Sequence, residues 1–236
     1  VVNATSALDS TSAKSLTISC PNRTVAIGGG GWVEGDEVAG NVHLDGIVPG
    51  RIGAGIVTVS ASERADGYAD DWRLHGSAIC IDEPSSYEMV SARSVKDSNF
   101  YHTAIAACPP GKQLIGFGGQ AAIETGAAVA LIAVIPDVDL TEVLVQAYEE
   151  PNGYSKAWST HAVAVCADPI PGLHRVVAPE VAGPDAQEAK SVGAACQLGG
   201  WHLNGFFIAA GGKAWMIMTL AGDDRSLPFA HVADQL

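Results

Sequence analysis

Basic residues are scarce in this 236-residue chain, and their scarcity limits the partners it can have. Lys and Arg together number 13 against 26 Asp and Glu, which gives a formal net charge of −13. A nucleic acid needs a basic surface to neutralise its phosphates, so we expect no nucleic acid partner. The chain also has no apolar run long enough to cross a bilayer, so we expect no membrane span.

Familiar catalytic and nucleotide-binding motifs are missing as well. The chain contains no Gly-x-Ser-x-Gly and no His-Glu-x-x-His. The glycine run 28–31 lacks the Gly-Lys-Ser/Thr ending of a phosphate loop, and no convincing helix follows it. We therefore interpret these glycines as places where strands crowd together, and we expect no cofactor.

What the chain does have is an internal repeat. Cys20, Cys108 and Cys196 are separated by 88 residues on both steps, and each opens a turn-forming segment: CPNRTVAIGGGG, CPPGKQLIGFGGQ and CQLGGWHLNGF. A regular period of this kind is the first guide to a fold. It indicates one domain of three repeats, 1–87, 88–174 and 175–236, of which the third is incomplete.

The end of each full repeat shows the closest match. ASERADGYADDWRLHGSAIC, from Ala61, aligns without a gap with AYEEPNGYSKAWSTHAVAVC, from Ala147. Overlapping its start, DLTEVLVQAYEE could pass for an amphipathic helix, but its counterpart VTVSASE is β-branched and alternates in polarity. We therefore predict strands at both places, and an all-β fold.

The cysteines predict two disulfide bonds. Cys20 and Cys80 are 60 residues apart, and Cys108 and Cys166 are 58 apart, at matching places in two repeats. Matching pairs favour disulfides over buried free thiols, and disulfides favour an oxidising compartment. The chain also begins at Val1 without Met, as a secreted product would after signal removal. We expect a secreted, extracellular protein in which Cys196 is a free or intermolecular thiol.

The segments CPPGKQLIGFGG (Cys108–Gly119) and AVAVC (Ala162–Cys166) resemble repeats of secreted actinobacterial proteins of unassigned function. They are more distantly similar to vitelline-membrane outer-layer proteins. That second resemblance implies a β-prism, with three antiparallel sheets around a pseudo-threefold axis. A barrel-like or trefoil-like variant is our second expectation. No functional residue carries over from either group.

Two sets of polar residues recur between repeats. His75 and His161, with Glu63 and Glu149, could perform acid–base chemistry or hold a metal, but two equivalent copies are what a structural role predicts. Three aspartates could converge on a Ca²⁺ ion, or each could cap a turn before a strand. They are Asp9, Asp97 and Asp185. The structural interpretation is our expectation for both sets, with no metal site.

The tryptophans divide into two groups. Trp72 and Trp158 share a strand face with the cysteines, so we expect them in the core. Trp32 stands in a loop-like segment with three acidic residues, which makes this segment our candidate ligand-binding site: Trp32, Glu34, Asp36 and Glu37. We expect a binding or structural protein for a glycan or a cell-surface polymer. The alternative is a secreted polysaccharide hydrolase with Glu34 and Asp36 as paired carboxylates.

The third repeat ends before the strand that carries Trp and Cys in the other two. An unpaired sheet edge is normally covered. The segment Val1–Ala7, another chain, or no partner at all could account for this edge. Because Val1–Ala7 has counterparts in the other repeats, we expect another chain, and therefore a homo-oligomer that associates near Met216–Leu220 or Phe229–Val232.

Overall fold

The structure, a computed structural model, describes residues 1–36, 38, 41–52, 54–123, 128–150 and 153–175. It also describes the backbone of four short segments, 189–190, 207–208, 215–216 and 232–233. Every regular element in these residues is a β-strand, which confirms the all-β prediction. Among them there is accordingly no helix that could span a membrane.

The first two repeats each contain six strands in the same order. The first repeat contains β1 (Val2–Thr5), β2 (Ala13–Ser19), β3 (Thr24–Gly35), β4 (Val42–Ile52), β5 (Ala54–Glu63) and β6 (Trp72–Asp82). The second contains β7 (Glu88–Arg93), β8 (Tyr101–Ala107), β9 (Gln113–Ala122), β10 (Val129–Pro136), β11 (Glu142–Glu149) and β12 (Ser159–Ala167). The helix-like segment before Glu150 is therefore a strand, as comparison of the repeats predicts.

Four two-residue strands lie in the third repeat. They are β13 (Ala189–Lys190), β14 (Phe207–Ile208), β15 (Trp215–Met216) and β16 (Val232–Ala233). β13 pairs with β16, and β14 pairs with β15, both antiparallel. Two residues named in the sequence analysis lie outside the described residues: Asp185 and Cys196. Of the two predicted interface segments, Met216–Leu220 and Phe229–Val232, only Met216 and Val232 are described. Self-association therefore stays a prediction.

The strands form three larger antiparallel sheets. One has six strands in the order β2-β5-β4-β9-β12-β7, and the others have three, β1-β6-β3 and β10-β11-β8. The six-stranded sheet takes three strands from each of two repeats. Each sheet is open within the described part of the chain, so a closed barrel is not what these strands form.

Glycines allow the strands to approach closely, as the sequence predicts. A Cβ atom added to Gly29 would lie 2.0 Å from the carbonyl oxygen of Ser77, and one added to Gly116 would lie 1.9 Å from that of Ile27. At the joint between repeats, a Cβ on Gly46 would lie 2.4 Å from that of Gln120. Backbone at Gly29 and Gly116, and the start of the Gln120 side chain at Gly46, occupy the space that a side chain would need. The glycine run 28–31 lies inside β3.

Both predicted disulfides are present. Cys20 bonds to Cys80 and Cys108 bonds to Cys166, each with 5.7 Å between Cα atoms. Trp72 and Trp158 are fully buried in the main core together with disulfide cysteines. The core prediction for these two tryptophans is confirmed.

Candidate functional site

The recurring glutamates serve the fold. One carboxylate oxygen of Glu63 accepts the indole N–H of Trp72 at 3.1 Å, and the other accepts the backbone N–H of Tyr68 at 3.2 Å. Glu149 does the same for Trp158 at 2.9 Å and for Tyr154 at 3.1 Å. Each buried glutamate thus satisfies a buried indole and orders the turn before its strand. This geometry supports the structural interpretation over acid–base chemistry.

The first two of the three recurring aspartates cap turns, as the structural interpretation expects. Asp9 accepts the backbone N–H of Thr11 and pairs with Lys14, and these hydrogen bonds lower its pKa to about 2. Asp97 accepts the backbone N–H of Asn99 at 2.8 Å and lies 3.2 Å from His102. Each carboxylate therefore already binds a backbone N–H and a basic side chain close by in the sequence. Within the described residues, no group of three or more His, Cys, Asp or Glu side chains could hold a metal ion.

Lys14 and His102 connect these aspartates to the buried tryptophans. The Lys14 ammonium lies 4.8 Å from the ring centre of Trp72, and the His102 ring meets Trp158 edge-on with 4.3 Å between centroids. A cation above an indole ring and a T-shaped pair of aromatic rings are both favourable arrangements. The recurring polar residues thus form one supporting network per repeat.

The candidate ligand-binding residues lie on the sheet β1-β6-β3. Trp32 in β3 is directly opposite His75 in β6, and His75 is directly opposite Thr5 in β1. Residues opposite one another in neighbouring strands point to the same face. The pairing therefore places these three side chains in one row across the sheet.

Trp32 is held flat against His75. The two ring centroids are 3.8 Å apart and the ring planes differ by 3°, while Trp32 remains 54% exposed. The imidazole covers one face of the indole, so the exposed area comes mainly from its opposite face and its edges. A ring held in this way loses little conformational freedom when it stacks on a ligand.

His75 is itself held from both sides. Its Nε2 lies 2.7 Å from a carboxylate oxygen of Glu34, and its Nδ1 lies 3.1 Å from the hydroxyl of Thr5. A carboxylate only accepts hydrogen bonds, so Nε2 donates to Glu34, and the Thr5 hydroxyl can donate to Nδ1 of the neutral ring. A hydroxyl, an imidazole and a carboxylate are thereby joined beside the exposed indole.

The remaining candidate residues lie at the end of β3. Arg73 Nε is 3.9 Å from the same Glu34 oxygen, within ion-pair range. Asp36 is exposed directly after β3, and its backbone carbonyl accepts the Tyr68 hydroxyl. Glu37 lies outside the described residues. The structure thus brings Trp32 and Glu34 together around His75, and it places Asp36 at the adjoining turn.

The second repeat lacks this group of residues. His161 is opposite Gln120 and Arg93, where His75 is opposite Trp32 and Thr5, and Ala122 stands 88 residues after Glu34. Burial lowers the pKa of His161, and its Nδ1 is buried without a hydrogen-bond partner. Only the histidine is common to both repeats, so the group around Trp32 is specific to the first.

Sequence reasoning missed a buried polar cluster between the two repeats. His43 in β4 lies 3.7 Å from Asp45 and 3.8 Å from Glu150, and Glu150 lies 3.4 Å from Arg64. Burial lowers the pKa of His43 to about 4 and raises that of Asp45 to about 7, and it also raises the pKa of Glu150. A difference between the repeats could have indicated this cluster, because the second copy has Ala130 and Ile132 in place of His43 and Asp45.

Comparison with known proteins adds no family. No protein-family model, no curated protein and no solved structure matches this chain. The difference between its own repeats is therefore the main guide to function.

Proposed function

We propose that this protein is a secreted binding protein that takes a glycan or a cell-surface polymer on the surface around Trp32. The supporting observation is the indole of Trp32, which is stacked on His75 and more than half exposed. The apolar face of a sugar ring packs well on such an indole, whose rigid area favours binding at low entropic cost.

Polar groups next to the indole suit a sugar's hydroxyl groups. Glu34 can accept hydrogen bonds, and Arg73 can donate them, while Thr5 can do both. Glu34 is oriented by His75 before a ligand arrives, which reduces the cost of ordering it. An aromatic platform with a few oriented polar groups is the usual composition of a small-ligand site.

The two disulfides support the proposed location outside the cell. Disulfides persist in oxidising compartments and are rare in reducing ones. Both pairs occur at equivalent places in their repeats, which favours a structural role for them.

We also propose that the three repeats are arranged about a pseudo-threefold axis as a β-prism. The support is the composition of the sheets: the six-stranded sheet combines three strands from each of two repeats, and the other two sheets contain three strands of one repeat each. The third repeat's counterparts of β8, β10 and β11 would complete the sheet β1-β6-β3 in the same way.

A glycan array with matched variants tests the proposed binding site. Trp32→Gln places the second repeat's residue, Gln120, at this position, and Ile52→Ala removes a different exposed hydrophobic side chain as the control. We expect Trp32→Gln to weaken binding by about tenfold or more, since aromatic contacts contribute about 0.5–1.5 kcal/mol beyond buried area. Ile52→Ala should bind as the unaltered protein does.

The same experiment distinguishes binding from hydrolysis. Each glycan that binds is incubated with the protein and its products are separated by mass. Intact glycan supports a binding protein. Shortened chains, lost in Glu34→Gln and in Asp36→Asn, would instead support the polysaccharide hydrolase with paired carboxylates.

A further inference from the structure

A second surface differs between the repeats, on the outer face of the sheet β10-β11-β8. The outward residues of β8 include Tyr101 and Ile105, each 46% exposed. Directly opposite them in β11 are Tyr148 and Leu144. Phe100, just before β8, adds a second exposed ring, with its centroid 5.8 Å from that of the half-buried Tyr148.

The same positions of the first repeat are small and mostly hydroxylated. Ala13 and Thr17 in β2 stand 88 residues before Tyr101 and Ile105. Thr58, opposite Thr17, corresponds to Leu144, opposite Ile105. The fold therefore does not require aromatic or aliphatic side chains here. Because this apolar face is dispensable for the architecture and costs solubility, it indicates a contact surface.

The size of the face restricts its occupant. The residues of this face lie on two strands about 4.8 Å apart, and seven paired residues of about 3.4 Å each outline an area of roughly 230 Å². A stable protein dimer buries about 800 Å² on each partner, so this face is too small for a second copy of the chain.

The chemistry of the face fits an uncharged ligand with both apolar and polar groups. Tyr101 and Tyr148 form one cross-strand pair and Ile105 and Leu144 form another, and between them lies the pair Thr103 and Gln146. An amide and a hydroxyl thus stand between an aromatic and an aliphatic pair. Among the outward-pointing residues of β8 and β11, Glu142 at the end is the one that carries charge.

We propose that this face, defined by Tyr101, Ile105, Leu144 and Tyr148, binds an extended, uncharged polysaccharide strand. Sugar rings present apolar faces that stack on the tyrosines, and their hydroxyl groups hydrogen-bond to Gln146 and Thr103. A long, narrow face suits an extended polymer strand better than a compact ligand. The inference does not rest on the Trp32 site, which lies on a different sheet.

The test is adsorption of the whole protein to microcrystalline cellulose and to chitin, measured by depletion from solution. The triple variant Tyr101→Ala, Ile105→Thr, Leu144→Thr introduces the residues that the first repeat carries at these places. We expect adsorption of the unaltered protein, little weakened by 1 M salt, and about tenfold or more weaker adsorption of the triple variant. Tyr101→Ala alone is the second variant, should the triple variant melt early.

The remaining outcomes contradict the proposal. Adsorption equal in the variants and the unaltered protein would overturn it, as would no adsorption to either polymer. A dimer that light scattering detects in the unaltered protein and not in the triple variant would show that a second copy occupies the face. Trp32→Gln, measured in parallel, should retain this adsorption, so failure here is distinguishable from failure at Trp32.

Discussion

The tryptophans show how two residues of one type serve different ends in the same repeat. Trp72 is fully buried, accepts a cationic contact from Lys14 and donates its indole N–H to Glu63. Trp32 is 54% exposed and packs on His75. The equivalent of Trp72 recurs in the second repeat and the equivalent of Trp32 does not. A tryptophan that recurs in both repeats therefore supports the fold, whereas the one found only in the first repeat forms a surface specific to that repeat.

Truncation of the two tryptophans should have opposite consequences. Trp72→Ala leaves a large cavity and an unpaired glutamate, and should destabilise the fold by about 3–5 kcal/mol. Trp32→Ala removes a half-exposed ring and its stacking on His75, and should change the free energy of unfolding by about 1 kcal/mol or less. Urea unfolding of both variants measures this difference. Equal losses of stability in the two variants would contradict the assignment of Trp72 to the core and Trp32 to a binding surface.

Asp45 should make stability depend on pH. Burial raises its pKa from 3.8 to about 7, so the folded state retains a proton that the unfolded state has released. This contribution is fully present below pH 3.8 and is lost as the pH rises through about 7.

Replacement of Asp45 by Asn removes this dependence. Asp45→Asn should therefore be more stable than the unaltered protein at pH 8, by on the order of a few kcal/mol, and the gain should shrink toward pH 4. His43 acts oppositely in both proteins, since its lowered pKa costs stability as the pH falls below 6.5. Thermal unfolding from pH 4 to 8 tests this. A variant less stable than the unaltered protein at pH 8 would indicate that ionised Asp45 is stabilising.

At the scale of elements, adjacent glycines in β3 differ in what they permit. A Cβ at Gly29 would lie 2.0 Å from the backbone oxygen of Ser77, whereas one at Gly30 would meet only the Ser77 hydroxyl at 3.2 Å. Backbone cannot move without disturbing the pairing of β3 with β6, but a serine hydroxyl can rotate. Alanine should therefore be excluded at Gly29 and tolerated at Gly30, and the second position serves as the control for the first.

Alanine at these two glycines tests the close approach of the strands. Gly29→Ala should destabilise the protein by about 3 kcal/mol or more, as overpacking against fixed atoms does. Gly30→Ala should change stability by about 1 kcal/mol or less. Chemical denaturation of the two variants provides the comparison. A well-tolerated Gly29→Ala would mean that these strands are farther apart than described.

Strands and disulfides were predictable from the sequence because each depends on local alternation or on matched places in two repeats. β11 is an example, since its counterpart β5 resolves an ambiguous periodicity. The contact of Glu34 with His75 depends on the register of β3 against β6, which neither local pattern encodes. The proximity of His43 to Glu150 depends on how two repeats join, and it was missed for the same reason.

At the scale of the whole molecule, the two disulfides each close a long segment within a single repeat. The bonded cysteines are separated by 60 and 58 residues. By the chain-entropy argument, each bond should stabilise the folded state by about 4 kcal/mol. The protein should consequently melt at a much lower temperature after reduction.

Peptide mapping without reductant should recover Cys20 linked to Cys80 and Cys108 linked to Cys166. Melting with and without reductant gives the accompanying loss of stability. Free thiols at these four positions would contradict both the pairing and the proposed extracellular location. The same map identifies whether Cys196 is free or linked to a second chain.

The central claim is that recurring residues hold the fold and that the residues specific to the first repeat bind the ligand. The most direct measurement is calorimetry on one variant, Thr5→Arg, Trp32→Gln, Glu34→Ala, which introduces the second repeat's residues around His75. We predict an unchanged melting temperature and loss of binding to the glycan selected by the array. Unchanged binding, or a collapse in melting temperature, would contradict the claim.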